Sequence, residues 1–280
     1  MGVLLGLAAG DALGAPLEGH PPPAVKVTGM PTGGMYTDDT LQALALARSL
    51  VVCRAFSPDD CMARLLEGYL RYPEFYGPTS SAVFSLVLDG VPATVAAEQA
   101  HRTLGGSRSN GSVMRGPPLG ILYSSPLLEE ASLACSRLTH CDPVAGACSV
   151  FVNRMVADLA RGRSREAAFE HACSTCRIPE VSEFLRRFGD HPPDPSLDAL
   201  LATHCALSVF LGAESFADAV LTAVNLGGDA DTIGAVTGAL AGAYWGAANI
   251  PPLWRVQLRD NDRIIDLAAD LFRVAVEKGE

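Results

Sequence analysis

Strictly alternating polar and apolar residues, the mark of a half-buried strand, are almost missing from this chain. The one short candidate for an extended piece is AVKVT, residues 24–28. Basic charge is also scarce: 21 Lys and Arg stand against 31 Asp and Glu, for a formal net charge of −10. Phosphate backbones are gripped by clustered Lys and Arg, so an extended nucleic-acid duplex is not an expected partner. A small phosphate-bearing ligand held by backbone amides stays open. No GxxxxGK[ST] occurs, which removes a P-loop. The amino-terminal stretch MGVLLGLAAGDALG has no basic residue ahead of its apolar run, and Asp11 interrupts that run. It does not read as a signal peptide.

Several metal motifs fail for want of one partner. HACSTC, residues 171–176, holds a CxxC after His171, but no second ligand pair stands at zinc spacing, and the HxE of a zinc deaminase is missing. DADTIG, from Asp229, fails as a calcium loop because Ile233 takes the fifth position and Leu240 stands where a bidentate Glu is required. The run from Ile233 to Trp254 carries no charge, yet it is rich in Ala and Gly and ends in Asn249 and Pro251-Pro252. Gly234, Gly238, Gly242 and Gly246 lie at helical spacing within it. That pattern predicts a buried helix packed closely on a neighbour along its glycine edge, with no membrane partner. The eight cysteines sit in helix-like surroundings and are expected as reduced, buried thiols in a cytoplasmic protein.

What the chain does have is helical periodicity. DTLQALALARSLVVCRAF, PVAGACSVFVNRMVADLARG, LDALLATHCALSVFLGA and NDRIIDLAADLFRVAVEKG repeat apolar residues every three or four positions. Ser215 with Asp218 forms a capping box, and Pro143 suits a first helical turn. The expectation is an all-α single domain over residues 1–280, built from about ten or more short helices. Three loops break the pattern: Pro- and Gly-rich 18–37, Gly- and Ser-rich 104–120, and 187–196. Long loops in such a domain often carry function.

Two short stretches crowd acids before helix-like runs: YTDDT at 36–40 and GGDADTIG at 227–234. Capping explains part of this. Asp39 with Gln42 fits a capping box for a helix starting near Thr40, and Asp231 or Thr232 fits a cap for one starting at Ile233. The surplus does not fit, since Asp38 and Asp229 have no capping task. Close carboxylates repel unless a cation neutralises them. Asp and Thr oxygens are hard ligands of the kind Mg²⁺ or Mn²⁺ takes, and two facing clusters would hold a pair of ions.

GDALGAPLE (10–18), TDDT (37–40), SNGSVMRGPPLG (109–120), LTHCDP (138–143) and GGDADTIG (227–234) occur in the order seen in the ADP-ribosylglycohydrolase family, which the chain resembles from residue 2 to about 250. The resemblance implies an orthogonal bundle of many helices with a binuclear Mg²⁺ or Mn²⁺ centre. By the same likeness, Thr37, Asp38 and Asp39 supply one side of that centre, and Asp229, Asp231 and Thr232 the other. Glu18 matches a family glutamate near the metals, and Glu18 and Asp39 are the candidate proton-transfer groups. Asp11 is expected as a buried acid bonded to loop amides. Gly106, Ser107, Ser109, Asn110 and Gly111 suit a diphosphate, and His140 matches a family histidine near the ligand. Arg108 stands where some relatives carry an aromatic ring that stacks on the ligand. Met114 and Arg115 are expected to fix the loop, and His204 to lie in the core.

The implied reaction is hydrolysis of the bond from ADP-ribose to an acceptor, by a monomer acting on an ADP-ribose-bearing substrate. A catalytically inactive ADP-ribose-binding or structural relative remains an alternative, as does another two-metal enzyme acting on a nucleotide.

Overall fold

Small residues recur at every fourth position in two segments: Gly2, Gly6, Gly10 and Gly14, and Ala230, Gly234, Gly238 and Gly242. That spacing puts each set on one edge of a helix. In the computed structural model, which describes residues 1–124 and 126–279, the helices Gly2–Gly14 and Ala230–Trp245 meet antiparallel along these edges. A Cβ built on Gly2 would lie 2.0 Å from the Gly242 carbonyl oxygen, and one on Gly6 2.1 Å from that of Gly238. One on Gly10 would lie 1.9 Å from the Gly234 oxygen. Backbone therefore touches backbone, and the amino-terminal helix is buried along its whole length. The expected glycine edge is there, with one amendment: Gly246 lies beyond it, ending the helix at φ +78°.

Register is the consequence that matters for function. The last turn of the first helix, with Asp11 and Gly14, is laid beside the first turn of the second, with Ala230 and Asp231. The expected all-α fold is present: the described residues form helices joined by loops and 3₁₀ turns, with no strand. AVKVT is an irregular segment rather than a strand, its Val27 pinned by Asn225, whose Oδ1 accepts from Val27 N at 2.8 Å. The long helix Pro143–Ala160 runs through the core against Pro126–Arg137, Arg165–Thr175, Ala199–Gly212 and Ala230–Trp245. Asp142 caps it, accepting from Val144 N at 2.9 Å and Ala145 N at 3.1 Å, so Pro143 stands at the first helical position. Ser215 likewise accepts from Asp218 N at 3.1 Å. The main apolar core extends from Val3 to Ala275, with a small second cluster of Val83, Ala96, Ala97 and Ala100. His204 is buried in it, stacked on Phe188 with centroids 5.4 Å apart. Among the described residues, no helix is long and apolar enough to cross a membrane.

Candidate active site

The helix Asp38–Cys53 opens without a cap of its own, for Thr37 makes no side-chain capping bond. The cap comes from another helix. Asp11 accepts from Thr37 N at 2.9 Å and Thr40 N at 2.9 Å, and from the hydroxyls of Thr37 at 2.9 Å and Thr40 at 2.6 Å. Asp11 thus takes the amide-binding role expected of it, and it does the work that the sequence assigned to Asp39. The predicted Asp39–Gln42 box does not form, because the helix begins two residues earlier than Thr40. Gln42 Nε2 donates instead to Asp38 Oδ2 at 2.7 Å, and Gln42 Oε1 accepts from Arg115 Nη1 at 3.1 Å. Arg115 is wholly buried and donates to the Cys135 carbonyl at 2.7 Å, so a fixed chain of groups aims the Asp38 carboxylate.

The second wall is the start of the helix Ala230–Trp245, three residues ahead of the predicted Ile233. Asp229 takes the cap position yet makes no capping bond with its side chain, so neither Asp231 nor Thr232 is the cap. Asp229 Oδ2 accepts from Asn110 Nδ2 at 2.5 Å, and Asp231 Oδ1 from Thr232 N at 2.9 Å. The loop carrying Glu18 is fastened here: Gly19 N donates to the Gly228 carbonyl at 2.8 Å, and Gly228 N to that of His20 at 2.7 Å. Gly228, at φ +63°, also passes Pro195 so closely that a Cβ would meet its carbonyl oxygen at 2.3 Å. Only glycine fits both demands.

The two walls meet. Thr37 Oγ1 lies 2.9 Å from Asp11 Oδ1, 3.3 Å from Asp231 Oδ2 and 3.5 Å from Asp39 Oδ2. One hydroxyl proton cannot serve three carboxylates. Glu18, Asp229 and Asp231 each offer an oxygen within 4.8 Å of the others, and Asp39 Oδ1 is buried with no partner. Full burial of Asp11 and partial burial of Glu18 at the cleft mouth, and then the field of Asp231, push both up to about 7. The same causes hold Asp38, Asp39 and Asp229 well above the ordinary carboxylate range, and burial raises Asp231. Buried, mutually repelling hard oxygens with an orphaned lone pair are suited to divalent cations.

Across from the acids, a cleft of about 430 Å³ is lined by Ser107, Ser109, Asn110, Gly111 and His140 together with Glu18, Asp38, Asp39, Asp229, Asp231 and Thr232. Five of the six expected ligand contacts are therefore on one surface with the acids. Gly106 is not on that surface; at φ +91° it turns the chain, donating to the His101 carbonyl at 2.9 Å. Arg108 pairs with Asp198 at 2.6 Å, which ties the loop to the helix Ala199–Gly212. His140 is buried between Ser109 Oγ, 2.9 Å from Nε2, and Thr139 Oγ1, 2.7 Å from Nδ1. Burial, with Arg115 nearby, lowers His140 to about 3, so the ring is neutral. Phe75, Tyr76 and Thr79 also line the cleft and were not foreseen. Thr79 Oγ1 joins Ser107 Oγ at 2.6 Å and accepts from Ser109 Oγ at 3.1 Å, completing a wall of neutral donors.

The family model for ADP-ribosylglycohydrolase matches residues 1–280. This chain belongs to that family. It is 31% identical to the ADP-ribosylarginine hydrolase Tri1 of Serratia proteamaculans, over 99% of this chain and 80% of that protein. It is 30% identical to the ADP-ribosyl-[dinitrogen reductase] glycohydrolase of Rhodospirillum rubrum, over 92% of this chain and 89% of that protein. The human ADP-ribosylhydrolase ARH3 is more distant, at 24% identity over 98% of this chain and 92% of that protein. A solved structure described as an ADP-ribosylglycohydrolase-related protein complex superposes with a TM-score of 0.85 at 33% identity, covering 98% of this chain and 96% of that one. Family membership supports hydrolysis of ADP-ribose linkages.

Proposed function

We propose that the chain is a divalent-metal-dependent hydrolase that cleaves the glycosidic bond between ADP-ribose and a modified acceptor, releasing ADP-ribose intact. The observation that carries this reading is the convergence of Glu18, Asp38, Asp39, Asp229 and Asp231 on one cleft, with Asp39 Oδ1 left without a partner. Thr37, Asp38, Asp39, Asp229, Asp231 and Thr232 are the residues that would hold two Mg²⁺ or Mn²⁺ ions. Such ions, when bound, neutralise the acids and supply Lewis acidity toward water and the ribose hydroxyls.

The chain's own groups divide the remaining work. Glu18 is at the exposed mouth, while Asp39 is buried in the first turn of its helix. Glu18 is thus the better placed to pass a proton to the leaving group or take one from water, and Asp39 to hold an ion. Asn110 keeps Asp229 in place, and Gln42 does the same for Asp38. The wall of Thr79, Ser107, Ser109 and neutral His140 offers uncharged donors to the diphosphate, and Phe75 offers a ring to the adenine. A transition state with oxocarbenium character gains from the negative field around it.

The test is a panel of ADP-ribosylated arginine, serine and nucleic-acid ends, with Mg²⁺ or Mn²⁺, on wild type and Asp231→Asn. Metal-dependent release of ADP-ribose by wild type alone is the expected result. AMP as product would assign a phosphodiesterase instead, and ADP-ribose binding without turnover would assign a reader.

A further inference from the structure

A second cavity, of about 210 Å³, lies on the other side of His140, a residue that lines both it and the cleft. It is enclosed by three helices and the segment that follows the third. Leu133 comes from Pro126–Arg137, Val150, Phe151 and Arg154 from Pro143–Ala160, and Ile178 from just past Arg165–Thr175. Gly146 keeps part of this wall bare, since a Cβ there would approach Leu133 Cδ2 to 3.3 Å. The glycine lets the helix Pro126–Arg137 lie close at that point, beside the cavity.

Arg154 supplies the second observation. It is 8% exposed, and its Nε is buried with no hydrogen-bond partner among the described residues. Arg115, wholly buried, also has an unpartnered Nε, but its Nη groups donate to Gln42 and the Cys135 and Ser136 carbonyls, whereas those of Arg154 have no such partners among the described residues. Arg154 thus keeps a buried, orphaned Nε and two Nη groups without a carboxylate, a guanidinium suited to take an anion. The other charged groups of the lining are already engaged or exposed. Glu129 pairs with Arg177 at 2.6 Å, Asp142 caps its helix, and Arg137 reaches solvent. Arg137, Arg154 and Arg177 against Glu129 and Asp142 leave one positive charge in excess, enough for one monoanion.

We propose that this three-helix cavity is a ligand site, separate from the acid-lined cleft, for a small organic monocarboxylate. The carboxylate sits on the two Nη groups of Arg154, which match it bidentately, and the apolar body lies among Leu133, Val150, Phe151 and Ile178. A phosphate dianion fits less well, because the lining neutralises a single charge between largely apolar walls. At this volume the site takes a fragment-sized molecule. Its occupant touches the ring that holds Ser109, so binding is felt in the cleft. None of this depends on the hydrolytic reading.

Titration of the full chain with butyrate, hexanoate, phenylacetate and 4-fluorophenylacetate, followed by calorimetry and ¹⁹F NMR, tests the proposal. Expected is saturable one-site binding of at least one carboxylate, with at least tenfold weaker binding of its methyl ester and of inorganic phosphate. The His140 ring resonances shift on binding. Arg154→Met weakens binding at least tenfold and melts no lower than wild type, because it removes an unpaired buried charge. Ala147→Leu, which fills the cavity with Arg154 intact, also loses binding. No saturable binding by any of the four acids overturns the proposal, as does undiminished binding in either variant or equal binding of phosphate.

Discussion

The helices Gly2–Gly14 and Ala230–Trp245 touch in two opposite ways within one interface. Along most of their length bare backbone meets bare backbone, and nothing charged intervenes. At the end nearest the cleft, the same helices bring Asp11 and Asp231 to a single threonine hydroxyl, and both carboxyl groups are pushed upward by burial. The glycine end is favourable in one register only. The acid end is unfavourable in every register unless a cation is present. Joined in one rigid pair, the first holds the second in place, since the acids cannot draw apart without pulling the glycine edges out of contact.

The largest effect is expected from breaking the acid end alone. Asp231→Asn removes one carboxylate while leaving the glycine contacts intact, and ADP-ribose release is expected to fall roughly a thousand-fold, the order of several kcal/mol of charge stabilisation. The metal-free variant is expected to melt no lower than wild type, because a repelling buried charge is gone. A steady-state assay and a melting curve on the same sample check both halves. Activity within tenfold of wild type would remove Asp231 from the centre.

Breaking the glycine end comes next. In Gly6→Val the new Cβ would stand 2.1 Å from the Gly238 carbonyl, so the helices must separate. Overpacking of this kind is expected to cost about 3 kcal/mol, or roughly 10 °C in melting temperature, with metal affinity lost alongside. Gly212→Ala is the control. That glycine ends the helix Ala199–Gly212 with nothing within 4 Å of its Cβ position, and its replacement is expected to change stability by less than about 1 kcal/mol. Equal losses in the two variants would show that the close approach has no special weight.

Only half of this comparison was legible in the sequence. The stripe Gly234, Gly238, Gly242 announced a close neighbour, but its partner stripe fell in a stretch whose apolar run drew attention first. The surplus of acids at 36–40 and 227–234 pointed correctly to a shared site, because capping uses one carboxylate and each cluster holds two. Which acid caps was misread. Local rules favour Asp39 with Gln42, whereas the bond that forms comes from Asp11, 26 residues away, and no local pattern encodes it. Phe75 and Thr79 carried no signal at all: one ring and one hydroxyl near a helix start look ordinary until the chain folds them onto the cleft. Gly106, expected beside the diphosphate because glycine lets backbone approach it, takes a positive φ and does not line the cleft.

A smaller effect probes how the acids are aimed. Gln42→Met keeps the volume while removing the donor to Asp38 and the acceptor for Arg115. Losing a group that orients a ligand weakens metal binding about 10- to 100-fold, so Mn²⁺ affinity by calorimetry is expected to drop within that range, with a stability loss of about 1–3 kcal/mol because buried Arg115 loses an acceptor. Unchanged affinity would mean that the helix start alone positions Asp38.

The smallest effect separates the acidic wall from the neutral one facing it. In metal-free protein, Asp11 and Glu18 keep protons in the fold up to about 7, whereas in the unfolded chain they release them near their ordinary values. Their contribution to stability therefore falls as pH rises through that window. His140 works the other way: its folded value of about 3 is below the unfolded 6.5, so the unfolded chain takes up the extra proton, and stability falls as pH drops below 6.5. His140→Gln removes only the second contribution. Between pH 6.5 and 5.5, wild type is expected to lose about 1 kcal/mol relative to the variant, roughly 3 °C, in melting curves recorded with chelator. Parallel curves would mean that the ring takes up its proton in the fold as readily as in the unfolded chain, and the wall assigned to the diphosphate would then become positive as pH falls.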